Sequence, residues 1–254
     1  MSVSLNESTW VLTSYLIASG IAIPSVDFFC KMLGRKNLFM LSIIIFTCAS
    51  FICGISNSLP MMIIARVIQG FGGGALLPMA QAISLESFPV EKRAQSMAVF
   101  CLVVVLAPII GPVIGGWITT NFSWPYIFFI NIPIGVLAVY LANEFIEDPP
   151  YAQKQENVYV DKIGLFFLIG WLTCMQIVLD KGNDADWFGS TWVCWLTFFA
   201  VTFCITFFIT QGKRKNSLID ITVFKDKNFF IGTLVQIVMM AVFLSSLTIL
   251  PQFL

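Results

Sequence analysis

The residue with the most chemical potential in this chain is Arg66. It lies in the apolar run Ile63-Ile64-Ala65-Arg66-Val67-Ile68-Gln69-Gly70-Phe71-Gly72-Gly73-Gly74. At the helical rise of 1.5 Å per residue it sits about 9 Å in from Pro60. A charge at that depth in a membrane is costly and faces a bundle interior or a water-filled cavity. Gln69, Gly70, Gly73 and Gly74 follow at i+3, i+4, i+7 and i+8, on the same helix face. A buried cation there biases the protonation of a nearby carboxylate or binds an anionic substrate. The alternative is an arginine that snorkels to the outer headgroups. No Asp or Glu lies mid-span as its partner; Asp27 is nearest, toward one end of its own segment.

A second constellation is mechanical. Leu106-Ala107-Pro108-Ile109-Ile110-Gly111-Pro112-Val113-Ile114-Gly115-Gly116 puts two prolines and three glycines inside an apolar run. In a soluble helix each interior Pro costs roughly 3 kcal/mol. In a membrane, packing by neighbouring helices tolerates such breakers. At 100° per residue, Pro108, Gly111, Pro112, Gly115 and Gly116 share one nearly bare face. Another backbone can approach it closely, either as ordinary packing or as a moving contact between halves.

The elements that carry these residues follow from composition. Hydrophobic residues make up 58% of the 254 and charged residues 11%, against roughly 45–50% and 25% in soluble proteins. This is an all-α, polytopic membrane helix bundle. Eight apolar segments approach the roughly 20 residues that a bilayer needs. They lie near Thr9–Phe29, Leu38–Ser56, Met61–Ile83, Ala94–Thr119, Trp124–Ala142, Ile163–Leu179, Thr191–Thr210 and Phe229–Leu254. Alternate connections are basic: Lys31/Arg35/Lys36, Lys92/Arg93, Lys154/Lys162, and Lys213/Arg214/Lys215/Lys225/Lys227. The others, around Asn57, Asn121 and Asp184, hold only Lys181. The positive-inside rule makes the basic set cytoplasmic. The N-terminus then faces outside with no signal sequence, and the chain stops inside an apolar segment. Both ends look cut, so an internal piece of a larger transporter is expected.

Other chemistries find little support. The net charge of zero carries no nucleic-acid signal. The seven cysteines fall in or beside apolar runs without metal spacing, so no metal site is expected. An intramembrane enzyme would need a His, a mid-span carboxylate pair, a Ser with a base, or a phosphate loop, and none is visible.

The chain resembles the major facilitator superfamily, and closely its fourteen-span drug:proton antiporters of the EmrB/QacA type. Arg66-Val-Ile-Gln69-Gly70-Phe-Gly72 is similar to the superfamily's fourth-helix motif. Ala107-Pro108 to Gly115-Gly116 is similar to the antiporter motif of the fifth helix. Trp124-Pro125-Tyr126 to Asn131-Ile-Pro133-Ile-Gly135 resembles the sixth-helix signature. Leu179-Asp180-Lys181-Gly182, Ile219-Asp220 to Phe224-Lys225 and Leu250-Pro251-Gln252 continue the likeness. The loop motif Gly-x-x-x-Asp-Arg-x-Gly-Arg-Lys is only partly kept. Asp27, Lys31 and Met32 stand at its Gly, Asp and Arg positions, and Gly34, Arg35 and Lys36 match.

The resemblance implies a partial major facilitator fold of about eight spans, lacking the first helix and most of the C-terminal half. Residues 1–143 would be the N-terminal half without its first helix, and 144–162 a cytoplasmic linker. Residues 163–210 would be an extra central helix pair, 211–228 a cytoplasmic loop, and 229–254 the start of the second half. The missing first helix holds a functional acidic residue in this family. The implied activity is export of hydrophobic, often cationic, drugs in exchange for protons. The proton gradient is the energy source and there is no cofactor. The implied setting is the bacterial inner membrane. In Gram-negative cells a periplasmic adaptor protein and an outer-membrane channel would be partners. Arg66 and Gln69 would serve proton coupling and gating, and the fifth-helix motif would serve bending and contact. Tyr15 and Asn131 are substrate-cavity candidates, with Asn131 also expected to hydrogen-bond a neighbouring helix. Asp27, Gly34, Arg35 and Lys36 form the loop motif. The alternative is a transport-inactive truncated membrane protein.

Overall fold

The computed structural model describes residues 5–148, 161–213 and 221–253. The expected linker 144–162 and loop 211–228 fall partly outside these residues. So do Lys154, Arg214, Lys215, Ile219 and Asp220, and the side chains of Leu250, Pro251 and Gln252. Nine α-helices are described: α1 (Leu5–Leu33), α2 (Arg35–Ile55), α3 (Leu59–Glu86), α4 (Arg93–Asn121), α5 (Tyr126–Phe129), α6 (Asn131–Phe145), α7 (Lys162–Lys181), α8 (Thr191–Lys213) and α9 (Lys227–Phe253). No strand occurs among the described residues. Hydrocarbon leaves helices as the economical way to satisfy every backbone group within one segment. Seven helical stretches are long and apolar enough to cross a membrane, and Lys227–Phe243 in α9 is a shorter apolar one.

Local chemistry sets the ends. Gly34 stops α1 at φ 82°, a left-handed conformation that glycine adopts without steric penalty. Its N–H donates to Cys30 O at 2.8 Å. Ser58 caps α3 by accepting from Met61 N at 3.4 Å. The single span expected over Trp124–Ala142 is interrupted between α5 and α6 at Ile130. Pro133 has no N–H to offer the Phe129 carbonyl four residues back, so the ladder lapses there. Pro108 and Pro112, by contrast, lie inside an unbroken α4.

Helix α3 is the centre of the bundle and packs on both α1 and α2. Its glycines permit the approach. A Cβ at Gly70 would stand 2.5 Å from Tyr15 O, and one at Gly74 2.6 Å from Ser19 O, both on α1. On the α2 side, a Cβ at Gly72 would stand 2.8 Å from Phe46 N and from Ser42 O. Such backbone contacts cannot yield as a flexible side chain can. Helix α6 lies on α2 and α7 pairs with α8. Trp171 and Phe207 meet across that pair at 6.1 Å, and Phe167 and Phe203 at 5.9 Å. Through α7 the pair docks on α1.

Side-chain contacts sort the two ends as the charge pattern predicts. At the basic end, Arg35 bonds Glu86 at the close of α3. There too, Lys36 N donates to Asp148 Oδ1 and Lys36 Nζ to Asn143 O, both at 2.7 Å. At the opposite end, Thr13 donates to Asp180 Oδ2 at 2.6 Å and Lys181 bonds Thr9.

Helix α4 leaves its bare face open among the described residues. Gly111, Gly115 and Gly116 have no atom of another element within 4 Å of a Cβ position. Gly111, Pro112 and Gly116 are exposed, and Pro108 and Gly115 half-buried. The reason is connectivity. Short turns bind α4 to α3 and α5, and its apolar window buries nothing within the described residues.

Three expected outcomes follow. Gly74→Ala lowers stability by about 1–3 kcal/mol through overpacking, whereas Gly115→Ala is neutral or stabilising by about 0.5–1 kcal/mol. Thermal unfolding of the purified chain in detergent compares the two. Asp161 is 2% exposed, caps α7 through Gly164 N at 2.9 Å and accepts from Gln211 Nε2 on α8 at 2.7 Å. Asp161→Ala should therefore cost about 1–3 kcal/mol in the same measurement.

Candidate functional site

The geometry around Arg66 resolves how a guanidinium survives in the bundle. Residue Arg66 projects from α3 toward α1. Its Nε donates to Val11 O at 3.1 Å and its Nη1 to Gln69 Oε1 at 2.8 Å. The Tyr15 ring lies 5.0 Å from the guanidinium carbon and the Phe128 ring 5.5 Å. Each aromatic face offers its negative quadrupole to the cation, worth about 0.5–2 kcal/mol. No carboxylate pairs with Arg66 among the described residues. A main-chain carbonyl, a side-chain amide and two rings stand in for one. The side chain is thus held between α1, α3 and α5.

The network continues inward. Gln69 is 2% exposed and Ser50 on α2 is 0% exposed. Gln69 Nε2 donates to Ser50 Oγ at 2.7 Å. Asn131, at the start of α6, donates to the same oxygen at 3.4 Å. Ser50 Oγ in turn donates to Phe46 O one turn back, at 2.8 Å. Four side chains from α2, α3 and α6 thereby form one connected polar strip. The expected hydrogen bond from Asn131 to a neighbouring helix is present. Sequence reading missed Ser50, because a lone serine in an apolar helix carries no spacing signal. It also missed the Val11 carbonyl, which no side-chain pattern can announce.

The two cavity candidates are not brought together. Tyr15 lines an open cavity of about 1020 Å³ between α3 and α4. Leu76, Leu77, Phe100, Val103 and Val104 form much of its apolar wall. Asn131 is not among its lining residues and is turned toward Ser50 instead. On α4, a Cβ at Gly111, Gly115 or Gly116 would meet no atom within 4 Å among the described residues.

The loop motif is likewise dispersed. Asp27 pairs with Lys31 at 2.6 Å on an exposed surface. Gly34 makes the turn between α1 and α2. Arg35 is 8% exposed and bonds Glu86 on α3, while Lys36 reaches Asn143 in the last turn of α6 and Asp148 just after it. These charges fasten helices of one bundle to one another. Their acceptors, Glu86 and Asp148, lay outside the motif and were not anticipated. No cluster of metal-binding side chains occurs among the described residues.

The model of the Major Facilitator Superfamily matches residues 1–253. The multidrug export protein EmrB of Haemophilus influenzae is 36% identical over 253 residues, covering 99% of this chain and 49% of that protein. EmrB of Escherichia coli K12 is 37% identical over 251 residues, with the same two coverages. The fatty acid resistance protein FarB of Neisseria gonorrhoeae is 33% identical over 252 residues, again covering 99% of this chain and 49% of its own. The chain thus spans about half the length of the curated relatives it matches. A solved structure of a bacterial homologue of the human lysosomal transporter Spinster covers 83% of this chain and 64% of its own. Its identity is 14% and its TM-score 0.39. With a family match running nearly from end to end over a bundle of membrane-length helices, this chain belongs to the major facilitator superfamily and is a multi-pass protein of a bacterial cell membrane.

Proposed function

We propose that this chain forms part of a multidrug exporter that works by proton antiport. The observation that carries the reading is likeness over 99% of the chain to proteins named for multidrug export, at 36% and 37% identity. The site supports it in chemical terms. Arg66 is a fixed cation in the bundle whose Nε and Nη1 are occupied. Its Nη2 has no hydrogen-bond partner among the described residues. A guanidinium carries five N–H donors, so capacity remains for an acidic group. Such a cation favours the deprotonated form of a carboxylate brought within about 4–6 Å. In this reading Arg66 and Gln69 belong to the coupling and gating network, and the proton gradient drives export without a cofactor.

The same reading assigns the remaining parts. Helices α1 to α6 belong to the first half of the transporter, α7 and α8 are a central pair, and α9 opens the second half. The exposed face of Pro108, Gly111, Pro112, Gly115 and Gly116 serves contact between the halves. Cargo consists of hydrophobic and cationic small molecules bound near the midplane between halves, with Tyr15 at the cavity wall. A periplasmic adaptor protein and an outer-membrane channel complete the export route in this proposal.

Ethidium efflux from energised cells lacking their own exporters tests the reading, with membrane levels checked by blot. Joined to the remaining helices of the exporter, the chain should export ethidium in a manner that an uncoupler abolishes. Absence of efflux at normal membrane levels would favour a transport-inactive piece. Arg66→Ala should reduce efflux to the empty-vector level. Arg66→Lys keeps the charge but cannot place two donors in a planar fork. It should fall by about ten-fold, the equivalent of one lost hydrogen bond to a charged group. Efflux undiminished by Arg66→Ala would remove Arg66 from the mechanism.

A further inference from the structure

We propose that Ser50 is a positioning residue that fixes the polarity of the Arg66 network through Gln69. A serine hydroxyl has one hydrogen to give and two lone pairs to receive. Here the hydrogen is committed to Phe46 O at 2.8 Å. Toward its other neighbours the oxygen can therefore only accept. Gln69 must present its Nε2 to Ser50, as it does at 2.7 Å. Its Oε1 then points the other way, toward Arg66 Nη1 at 2.8 Å. Arg66 offers donors alone, so a flipped Gln69 amide would set donor against donor at one end and acceptor against acceptor at the other. The Asn131 amide, also donating to Ser50 Oγ, is sorted by the same rule. The Phe46 carbonyl, one turn below Ser50, thus dictates which face of an amide meets the cation on the adjacent helix.

The setting makes this more than a local hydrogen bond. Ser50 and Gln69 are both fully buried, so water cannot replace a lost partner cheaply. Ser50→Ala leaves the shape nearly unchanged but strips Gln69 Nε2 and Asn131 Nδ2 of their acceptor. Gln69 is then free to rotate, and Arg66 loses the acceptor that holds its Nη1. The functional weight of this arrangement rests on the transport reading above, but the positioning itself does not.

The test labels arginines with phenylglyoxal in membranes from cells expressing the chain, followed by peptide mass spectrometry. Exposed Arg93 is the reference and buried Arg35, at the basic end, reports general loosening. Ser50→Ala should raise labelling of Arg66 relative to Arg93 by about ten-fold, the equivalent of one lost hydrogen bond to a charged group. Labelling of Arg35 should not change. Gln69→Leu should give the same rise, and the S50A/Q69L chain no more than either, because the two act in series. Ser50→Thr, which keeps the hydroxyl, should restore protection. An unchanged Arg66 ratio in Ser50→Ala, multiplying effects in the double variant, or a parallel rise at Arg35 would each overturn the proposal. If Ser50→Ala fails to accumulate in membranes, Gln69→Leu decides: wild-type labelling there overturns it as well. Ethidium efflux measured on the same cells separates the two claims. Ser50-dependent labelling without efflux in any chain defeats the transport reading alone, and Arg66-dependent efflux with Ser50-independent labelling defeats the positioning alone.

Discussion

The constraint on which the rest of the structure depends is the cost of one positive charge inside an apolar bundle. Arg66 cannot be left bare in hydrocarbon, and no carboxylate among the described residues neutralises it. The protein surrounds it with dipoles and π faces instead: the Val11 carbonyl, the Gln69 amide, Tyr15 and Phe128. Those partners sit on α1, α3 and α5, so the solution needs α1 close against α3. Gly70 and Gly74 supply that closeness, because their missing side chains let the Tyr15 and Ser19 carbonyls approach α3. Gly72 does the same toward α2, bringing Ser50 within reach of Gln69. The glycine run after Arg66 and the polar strip beside it are therefore one device. Packing brings the backbones together, and the short distances make the hydrogen bonds available.

Much of the fold was legible because a membrane simplifies the problem. Apolar runs of the right length become helices, and α2 (Arg35–Ile55) and α7 (Lys162–Lys181) match the expected Leu38–Ser56 and Ile163–Leu179 to within a few residues. The Arg35 and Lys36 contacts bring the α1–α2 turn, the end of α3 and the segment after α6 to one end. Arg66 and Gln69 were legible as a pair because i, i+3 spacing places them on one face. Their further partners were not. Val11 contributes only a carbonyl, which every residue possesses. Ser50 is one serine in an apolar helix, and its importance comes from a neighbour on another helix. Glu86 and Asp148 lie far in sequence from the loop they fasten. Pairings of that kind depend on which helices adjoin, and periodicity within one segment carries no such information.

Helix α4 shows the opposite limit. Its stripe of Pro108, Gly111, Pro112, Gly115 and Gly116 was correctly read as one bare face, since helical geometry alone determines that. Whether a face is occupied depends on what lies beside it. Here the closest backbone approaches belong to the glycines of α3, and the α4 stripe stays open. Two equally bare faces thus meet different fates. The α3 face carries Gln69 and lies next to Arg66, so polar bonds and backbone packing reinforce each other. The α4 face carries no polar group that could add to packing within this chain, and lipid is as good a neighbour for it as another apolar helix.

This contrast bears on where the bundle keeps its rigidity. The clasps at its two ends are charged or hydroxyl contacts. Exposed pairs such as Asp27–Lys31 contribute about 0–1 kcal/mol because water screens them. In the strip from Arg66 to Asn131, Gln69 and Ser50 are buried, Arg66 and Asn131 are half-buried, and directional bonds run across α2, α3 and α6. A distortion that breaks it strands the buried Gln69 amide, at a cost of about 1–3 kcal/mol. The end clasps can exchange partners with water at little cost. Any motion of these helices should therefore move the group holding Arg66, Gln69, Ser50 and Asn131 as one rigid piece. Change would concentrate at the clasped ends and along α4, where few contacts resist it. Rigidity around Gln69 and Ser50 and looseness along α4 thus follow from where the directional bonds and the close backbone contacts lie.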